Sequence, residues 1–183
     1  MENMKSPLRS LESGLWGPDG VAPARYLPRE EMETDKWALA RSLGFGEDSC
    51  AHHSSYIYGD VKIGSHVWVG PFTILDASGG LEIGDFTMIC AGAQVYSHDS
   101  VRWALSSGKQ GWEHGSVRIG HHCYIGAGAI VTRGVTIGDY CVVGAGSVVN
   151  RDLPAFSLAA GSPCKVIGRV VVEPDGGVRF ARA

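Results

Sequence analysis

The chain has 183 residues, a formal net charge of −3 and 44% hydrophobic residues, which suits one domain with small appendages. Acidic and basic residues are interspersed, so the composition indicates neither a nucleic-acid partner nor binding to a membrane surface. Residues 1–10 lack the apolar stretch of a signal peptide, and no segment is apolar for long enough to span a membrane. We therefore expect a soluble cytoplasmic protein. The five cysteines form no CxxC pair, which argues against a disulfide framework or a zinc knuckle.

The first 50 residues predict an arm followed by a short helix. Residues 1–28 are rich in proline and glycine, which is typical of irregular structure. Thr34-Asp35 can cap a helix that runs from about Asp35 to Leu43 and stops at Gly44. We expect its apolar side chains to cover the open end of the domain that follows.

Residues 51–154 contain a six-residue repeat. An aliphatic residue recurs at Ile57, Ile63, Val69, Leu75, Ile83, Ile89, Val95, Ile119, Ile125, Val131, Ile137, Val143 and Val149, and the next residue is often glycine. The position four residues further on is mostly small or β-branched. A helix requires apolar spacings of three and four, and a strand requires alternation. Spacings of two and four in a six-residue unit instead predict a three-sided parallel β-helix. Cys123 and Cys141, 18 residues apart, occupy the small-residue position and are predicted to fill its core.

The repeat is interrupted between Val95 and Ile119, an interval of 24 residues. We therefore predict a loop at about residues 97–116 that leaves the coil and returns in phase. Long excursions from a rigid scaffold usually carry function. Packing of the loop against a neighbouring subunit is an alternative, and one loop can do both. Its notable side chains are His98, Trp103, Lys109, Trp112 and His114.

One edge of the predicted coil has polar corners, whereas the other two are rich in glycine. The residues at this polar edge, given their spacings, are Tyr58, Asp76, Tyr96, Thr132 and Asn150. The interval from Leu75 to Ile83 is two residues longer than the repeat, and His98 lies just beyond the edge. This pattern indicates a ligand groove, although solvated corners would produce the same pattern.

After Pro154 the chain leaves the repeat. Residues 170–172 and 178–180 are apolar or β-forming and are separated by Asp175-Gly176-Gly177. This pattern predicts a hairpin. Residues 155–183 are therefore interpreted as a C-terminal segment consisting of a turn and a hairpin.

The repeat, the Ser97-His98-Asp99 sequence and the run Ala-Gly-Ser-Pro-Cys-Lys-Val-Ile at 160–167 resemble the hexapeptide-repeat acyltransferases. The branch that looks most similar contains the galactoside, maltose and nodulation-factor acetyltransferases, with the related polysaccharide acetyltransferases. The likeness covers about residues 51–169 and is most specific at 143–154 and 161–165. It implies an all-β fold, a left-handed parallel β-helix. The handedness comes from the resemblance, because periodicity alone does not fix it.

The resemblance also implies a reaction, transfer of an acetyl group from acetyl-CoA to a hydroxyl or amine of a sugar, with no metal required. It implies a homotrimer with active sites between subunits. The family's catalytic histidine matches His98. The residues that match its coenzyme contacts are Ala127 and Ala145 beside the pantetheine arm, and Asn150, Arg151, Pro163 and Lys165 near the nucleotide.

The chemistry requires a base, because a sugar hydroxyl is a poor nucleophile until its proton is removed, and imidazole suits this role. Asp99 or a backbone carbonyl could orient the His98 ring. Backbone N–H groups of the coil could stabilise the oxyanion. Side chains expected to bind the acceptor are those of Asp76, Tyr96, Trp103 and His114.

Three alternatives remain open at the sequence level. The acceptor could be a streptogramin-type antibiotic instead of a nucleotide-sugar or a surface-polysaccharide unit. A zinc enzyme similar to the γ-carbonic anhydrases needs three histidines, two of them five residues apart. No two histidines of this chain have that spacing. The third alternative is a catalytically silent binding protein. The sequence leaves open which sugar is used and whether oxygen or nitrogen is acetylated.

Overall fold

The computed structural model describes residues 28–182. They contain a left-handed parallel β-helix of about six coils, preceded by two short helices and followed by a C-terminal hairpin. Strands of successive coils pair in parallel to build three sheets. The first sheet is β1 (Cys50–Ala51), β4 (Trp68–Val69), β7 (Met88–Ile89), β12 (Tyr124–Ile125), β15 (Val142–Val143), β17 (Ser157–Ala160), β18 (Lys165–Val172) and β19 (Val178–Arg182). The second is β2 (Tyr56–Tyr58), β5 (Ile74–Asp76), β8 (Gln94–Val95), β13 (Ile130–Val131) and β16 (Val148–Val149). The third is β3 (Val61–Ile63), β6 (Leu81–Ile83), β11 (Val117–Ile119) and β14 (Thr136–Ile137).

The core of the helix is the repeat predicted from the sequence. Every aliphatic residue of the repeat is buried except Ile57, which is half-buried in the first complete coil. The small or β-branched residues four positions later are buried too, including Cys123 and Cys141, whose thiols are free. The predicted β-helix is therefore confirmed, and the two cysteines fill its core.

Glycine follows the aliphatic residue because successive coils approach each other closely there. A Cβ atom on Gly126 would lie 2.6 Å from the backbone nitrogen of Ala145, in the next coil. Real Cβ atoms do not approach backbone that closely, so a side chain here would push the coils apart. The glycine therefore sets the coil spacing, which keeps the inter-coil hydrogen bond from Gly126 N to Val143 O at 2.9 Å.

The edge between the third and first sheets carries a ladder of aromatic rings. The five stacked residues are His66, Phe86, His122, Tyr140 and Phe156. Neighbouring centroids lie between 4.4 and 5.1 Å apart. All five residues have φ between 53° and 63°, the left-handed region that non-glycine residues seldom adopt. Ring stacking between coils stabilises this edge and offsets part of the backbone cost.

Two helices precede the first coil: α1 (Arg29–Glu33) and α2 (Lys36–Ser42). The predicted cap of α2 is confirmed, because the Asp35 carboxylate accepts hydrogen bonds from Trp37 N at 2.9 Å and Ala38 N at 3.1 Å. Leu39 packs against the core of the coil, as expected for a helix covering its open end. Helix α1 was not predicted. The predicted arm at 1–28 lies, apart from Pro28, outside the described residues.

The predicted C-terminal hairpin is confirmed and is longer than expected. Strand β17 still continues the first sheet in parallel, and β18 and β19 then extend that sheet in antiparallel fashion. Within residues 28–182, no helix has the length and hydropathy needed to cross a membrane.

Candidate active site

The predicted loop leaves the second sheet after β8 and returns at β11. It begins with β9 (His98–Asp99), continues through α3 (Val101–Leu105) and ends with β10 (Glu113–His114). Strands β9 and β10 form a two-residue antiparallel ribbon in which His98 lies opposite His114. A hydrogen bond of 2.8 Å from Gly115 N to Ser97 O closes the loop where it rejoins the coil.

The His98 ring is held from three directions. Its Nδ1 atom lies 2.6 Å from Oδ2 of Asp76 and 2.9 Å from Oγ of Ser78. The indole of Trp112 stacks on the imidazole, with centroids 5.1 Å apart and planes 11° from parallel. The ring therefore has a defined position, although His98 lies at the base of a surface loop.

Asp76 is a buried carboxylate, 2% exposed, at the end of β5. Its Oδ1 accepts a hydrogen bond from Ser78 N at 3.0 Å, and its Oδ2 accepts from the backbone and hydroxyl of Ser97 at 2.9 and 3.2 Å. Burial alone would raise the pKa of Asp76. Hydrogen bonds from the backbone and side chain of Ser78, from the Ser97 backbone and from His98 outweigh burial and hold the pKa well below its usual range.

This environment fixes the tautomer of His98. An ionised carboxylate can only accept hydrogen bonds, so the Nδ1 atom facing Asp76 must carry a proton. In the neutral imidazole the unprotonated nitrogen is then Nε2. His98 therefore has the tautomer that a general base needs, with Nε2 as the proton acceptor.

The expected orienting residue, Asp99, takes a different position. Its carboxylate pairs with the guanidinium of Arg133, and its Oδ1 accepts from Val101 N at 3.1 Å at the start of α3. Neighbouring residues in a strand point to opposite faces, so Asp99 faces away from the side on which His98 lies. Asp76 makes the contact assigned to Asp99. Because Asp76 is buried beneath His98, it is also poorly placed for the acceptor contact that we had expected.

The other expected acceptor residues lie around the base of the loop or on it. The hydroxyl of Tyr96 donates to Gln94 Oε1 at 2.7 Å, and burial raises its pKa, with smaller contributions from Tyr58 and Asp76. The His114 ring is 6.1 Å from that of His98. Trp103 is exposed on α3, the helix that follows β9 in the loop, and is not part of the ribbon itself.

Sequence reasoning did not assign a role in the site to Ser78, Ser97 or Trp112. Ser78 belongs to the two-residue lengthening before Ile83, and Ser97 Oγ accepts from Gly79 N at 2.7 Å in the same segment. The longer corner thus supplies part of the surface on which His98 rests. The longer interval between Leu75 and Ile83 was therefore the feature of the sequence that could have pointed to these residues.

The residues expected to bind coenzyme lie at the C-terminal end of the coil. Ala127 and Ala145 are exposed at equivalent corners of consecutive coils, joined by a hydrogen bond of 2.9 Å from Gly146 N to Ala127 O. The turn at 161–165 pairs with Val148, since Val148 N donates to Gly161 O at 2.9 Å and Cys164 N donates to Val148 O at 2.8 Å. The fold therefore brings this turn beside the strand that leads to Asn150.

The cationic side chains at this end are accessible. Arg151, Pro163 and Lys165 are exposed, as is Asn150. A phosphorylated ligand could reach both cations from solvent. Among residues 28–182, no group of three or more His, Cys, Asp or Glu side chains is arranged to hold a metal ion.

Comparison with known proteins identifies a matching family model, a relative in sequence and similar solved structures. The family model "Hexapeptide repeat of succinyl-transferase" matches residues 116–151. Nodulation protein L of Rhizobium meliloti (strain 1021) is 37% identical over 170 residues, which cover 86% of each chain. A hexapeptide-repeat containing acetyltransferase from Vibrio cholerae superposes with a TM-score of 0.68 at 27% identity, over 76% of this chain and 83% of that chain.

A second solved structure, a maltose O-acetyltransferase from Clostridium difficile 630, superposes with a TM-score of 0.66 at 30% identity over 79% of each chain. The similarity to Nodulation protein L extends over most of both sequences and includes the repeat and the loop. The chain therefore belongs to the hexapeptide-repeat acyltransferases of the left-handed β-helix fold.

Proposed function

We propose that the protein transfers the acetyl group of acetyl-CoA directly to a hydroxyl or amine of a sugar, with His98 as general base and Asp76 as the residue that orients it. The observation that carries this proposal is the 2.6 Å hydrogen bond between His98 Nδ1 and the buried Asp76 carboxylate. A base held by a carboxylate in one tautomer is the arrangement that proton abstraction from a weak nucleophile requires.

The transfer proceeds without a covalent enzyme intermediate. The acceptor oxygen or nitrogen attacks the thioester carbonyl carbon while Nε2 of His98 takes its proton. The tetrahedral intermediate then collapses, the C–S bond breaks, and the imidazolium returns the proton to the departing sulfur. The products are the acetylated sugar and free CoA, and His98 is again neutral. The Asp76 carboxylate stabilises the transient imidazolium, as in other base–carboxylate pairs.

The coenzyme lies along the corner that carries Ala127 and Ala145. Small exposed side chains allow the pantetheine arm to approach backbone amides. The Asn150-Arg151 corner and the Pro163–Lys165 turn meet the nucleotide end, where Arg and Lys suit phosphate groups. Support comes from the exposure of these residues and from the hydrogen bonds that place the turn beside Val148.

The site is completed in a homotrimer. Helix α3 of the loop exposes apolar side chains, Val101 at 59% and Leu105 at 84%. Apolar groups projecting together from a soluble protein usually mark an interface. The loop of one subunit packs against the next, and the acceptor binds between them near Tyr96, Trp103 and His114. A nucleotide-sugar or a unit of a surface polysaccharide is the acceptor class we assign.

The test is an acceptor screen with the purified protein. Acetyl-CoA is mixed with monosaccharides, oligosaccharides, nucleotide-sugars and, as a separate arm, a streptogramin, and free CoA thiol is measured together with the product mass. We expect thiol release that depends on a sugar. Release only with the streptogramin would favour the antibiotic-modifying alternative. When His98→Ala is tested in the same screen, the matched control is His53→Ala. His53 is an exposed histidine of the first coil, far from the loop in the sequence, so this control should behave as wild type.

A further inference from the structure

The two-stranded ribbon that carries His98 has two chemically different faces. In an antiparallel pair, residues directly opposite each other project their side chains to the same face. His98 lies opposite His114, and Asp99 lies opposite Glu113. One face therefore carries two imidazoles, and the other carries two carboxylates.

The carboxylate face would be unstable alone, because like charges directly opposite each other on a sheet repel. Arg133 resolves this conflict. Its Nε atom donates to Asp99 Oδ2, and its Nη2 atom donates to Glu113 Oε2 at 2.9 Å. The planar guanidinium can bind two acceptors at once, which a lysine ammonium does less specifically. This hydrogen bond from Arg133 is the main cause that lowers the pKa of Asp99.

Arg133 reaches the ribbon from the coil. It lies in the corner between β13 and β14, one coil beyond the point at which the loop returns, and Gly134 N donates across the two coils to Gly115 O at 3.0 Å. A second arginine, Arg102 of α3, forms an ion pair with Glu113, with its Nε atom 3.2 Å from Glu113 Oε1. The ion pairs thus run from the rigid coil through both strands of the ribbon to the helix of the loop.

The ribbon itself is short. Each strand has two residues, and such hairpins are only marginally stable on their own in water. We propose that Arg133 is a positioning residue: by bridging Asp99 and Glu113 it holds the ribbon on the coil and keeps the His98 ring on Asp76. This inference rests on the proposed role of His98 as general base.

The variant that tests it is Arg133→Gln, which removes the charge and the two-pronged donor and keeps a polar, though shorter, side chain. The matched control is Arg118→Gln, since Arg118 is also paired with a carboxylate, Glu82, at 3.2 Å but lies on the third sheet. We expect kcat of Arg133→Gln to fall by about tenfold to a hundredfold, as expected when a reacting group is misplaced by roughly an ångström. The KM for acetyl-CoA should stay within about twofold, because the coenzyme contacts lie elsewhere.

Two further variants separate charge from geometry. Arg133→Lys should recover part of the lost kcat, because it restores the charge without the two-pronged donor. In the background Asp99→Asn/Glu113→Gln, the repulsion is already absent, so adding Arg133→Gln should lower kcat much less than it does in the wild-type background. Equal losses in both backgrounds would overturn the inference.

A readout independent of turnover distinguishes this inference from the proposed function. The Nδ1 proton of His98, held by Asp76, should give a downfield imidazole resonance in wild type and in Arg118→Gln. It should be lost or exchange-broadened in Arg133→Gln. Persistence of this resonance in Arg133→Gln would overturn the inference even if the melting temperature fell. If instead His98→Ala retained normal turnover, the proposed function would fail, and the resonance would still test the role of Arg133.

Discussion

The imidazole of His98 and the carboxylate of Asp76 are hydrogen-bonded at 2.6 Å, although they belong to successive coils and one of them lies in a surface loop. The corner after Asp76 is two residues longer than the repeat, and it supplies Ser78, whose Oγ lies 2.9 Å from the same nitrogen. The loop and the lengthened corner therefore act together to position the ring.

The first prediction concerns Asp76→Asn. The amide offers one oxygen where the carboxylate offers two, so its NH₂ group would face a donor and His98 Nδ1 would lose its anionic partner. We expect kcat to fall by about 10²-fold or more, approaching the loss of an acid–base group, with little change in coenzyme affinity. Steady-state kinetics and a coenzyme titration measure the two effects. Asp60→Asn, an exposed corner carboxylate, is the control; a near-normal kcat in Asp76→Asn would remove Asp76 from the mechanism.

The second prediction concerns acid stability. The pKa of Asp76 is lowered by folding, so the unfolded state binds its proton more readily and the group stabilises the protein at neutral pH. That contribution to stability should be lost as the pH falls below the pKa of Asp76 in the unfolded chain, about 3.9, towards its lower pKa in the folded protein. Melting temperatures measured between neutral and acidic pH should therefore decline more steeply in wild type than in Asp76→Asn. Parallel declines would contradict the assigned pKa shift.

The coil could be predicted in detail because its signal is repeated. Each aliphatic residue of the repeat independently predicts the same inward-facing position. A departure in one coil, such as the half-buried Ile57, therefore does not change the predicted register of the other coils. Glycines such as Gly126 add a second signal, since close coil stacking excludes a Cβ atom there. The loop boundaries followed from the same periodicity, because an excursion that returns in phase must leave and re-enter at fixed positions.

The contacts inside the site could not be derived in this way. His98 and Asp76 are 22 residues apart, which is not a multiple of the coil length, so periodicity does not pair them. Sequence adjacency favoured Asp99, but strand geometry turns adjacent side chains to opposite faces. The bridge from Arg133 to Asp99 and Glu113 likewise depends on the path of the loop, which has no repeat to define it.

The third prediction concerns the interface. Leu105 is 84% exposed in the isolated chain, so Leu105→Asp should hardly change the stability of a monomer. If α3 packs on a neighbouring subunit, the buried charge should instead dissociate the trimer and lower activity. Light scattering measures the oligomeric state. Val178→Asp, an exposed apolar position on the terminal hairpin, is the comparison variant. A stable wild-type monomer at micromolar concentration would contradict the shared site.

The fourth prediction concerns the coenzyme. If Lys165 binds the 3′-phosphate, Lys165→Ala should weaken the binding of CoA more than the binding of dephospho-CoA, because dephospho-CoA lacks that 3′-phosphate. Calorimetric titration of both ligands against wild type and variant gives the comparison. Lys109→Ala serves as control, since Lys109 is an exposed cation of the loop. Equal losses of affinity for the two ligands would show that Lys165 does not bind the 3′-phosphate.

The last prediction separates the two histidines of the ribbon. His98→Ala should lower kcat by roughly 10²–10⁴-fold, the range for a lost acid–base group, and leave coenzyme affinity within a few-fold. His114, whose ring is 6.1 Å from that of His98, should act on the acceptor, so His114→Ala should mainly raise the acceptor KM. The acid limb of kcat/KM against pH should disappear in His98→Ala and persist in His114→Ala, because only the former removes the base. Near-normal turnover in His98→Ala would instead indicate an amine acceptor that loses its proton without help from the protein, and the site would then have to be sought along Tyr58, Asp76 and Tyr96.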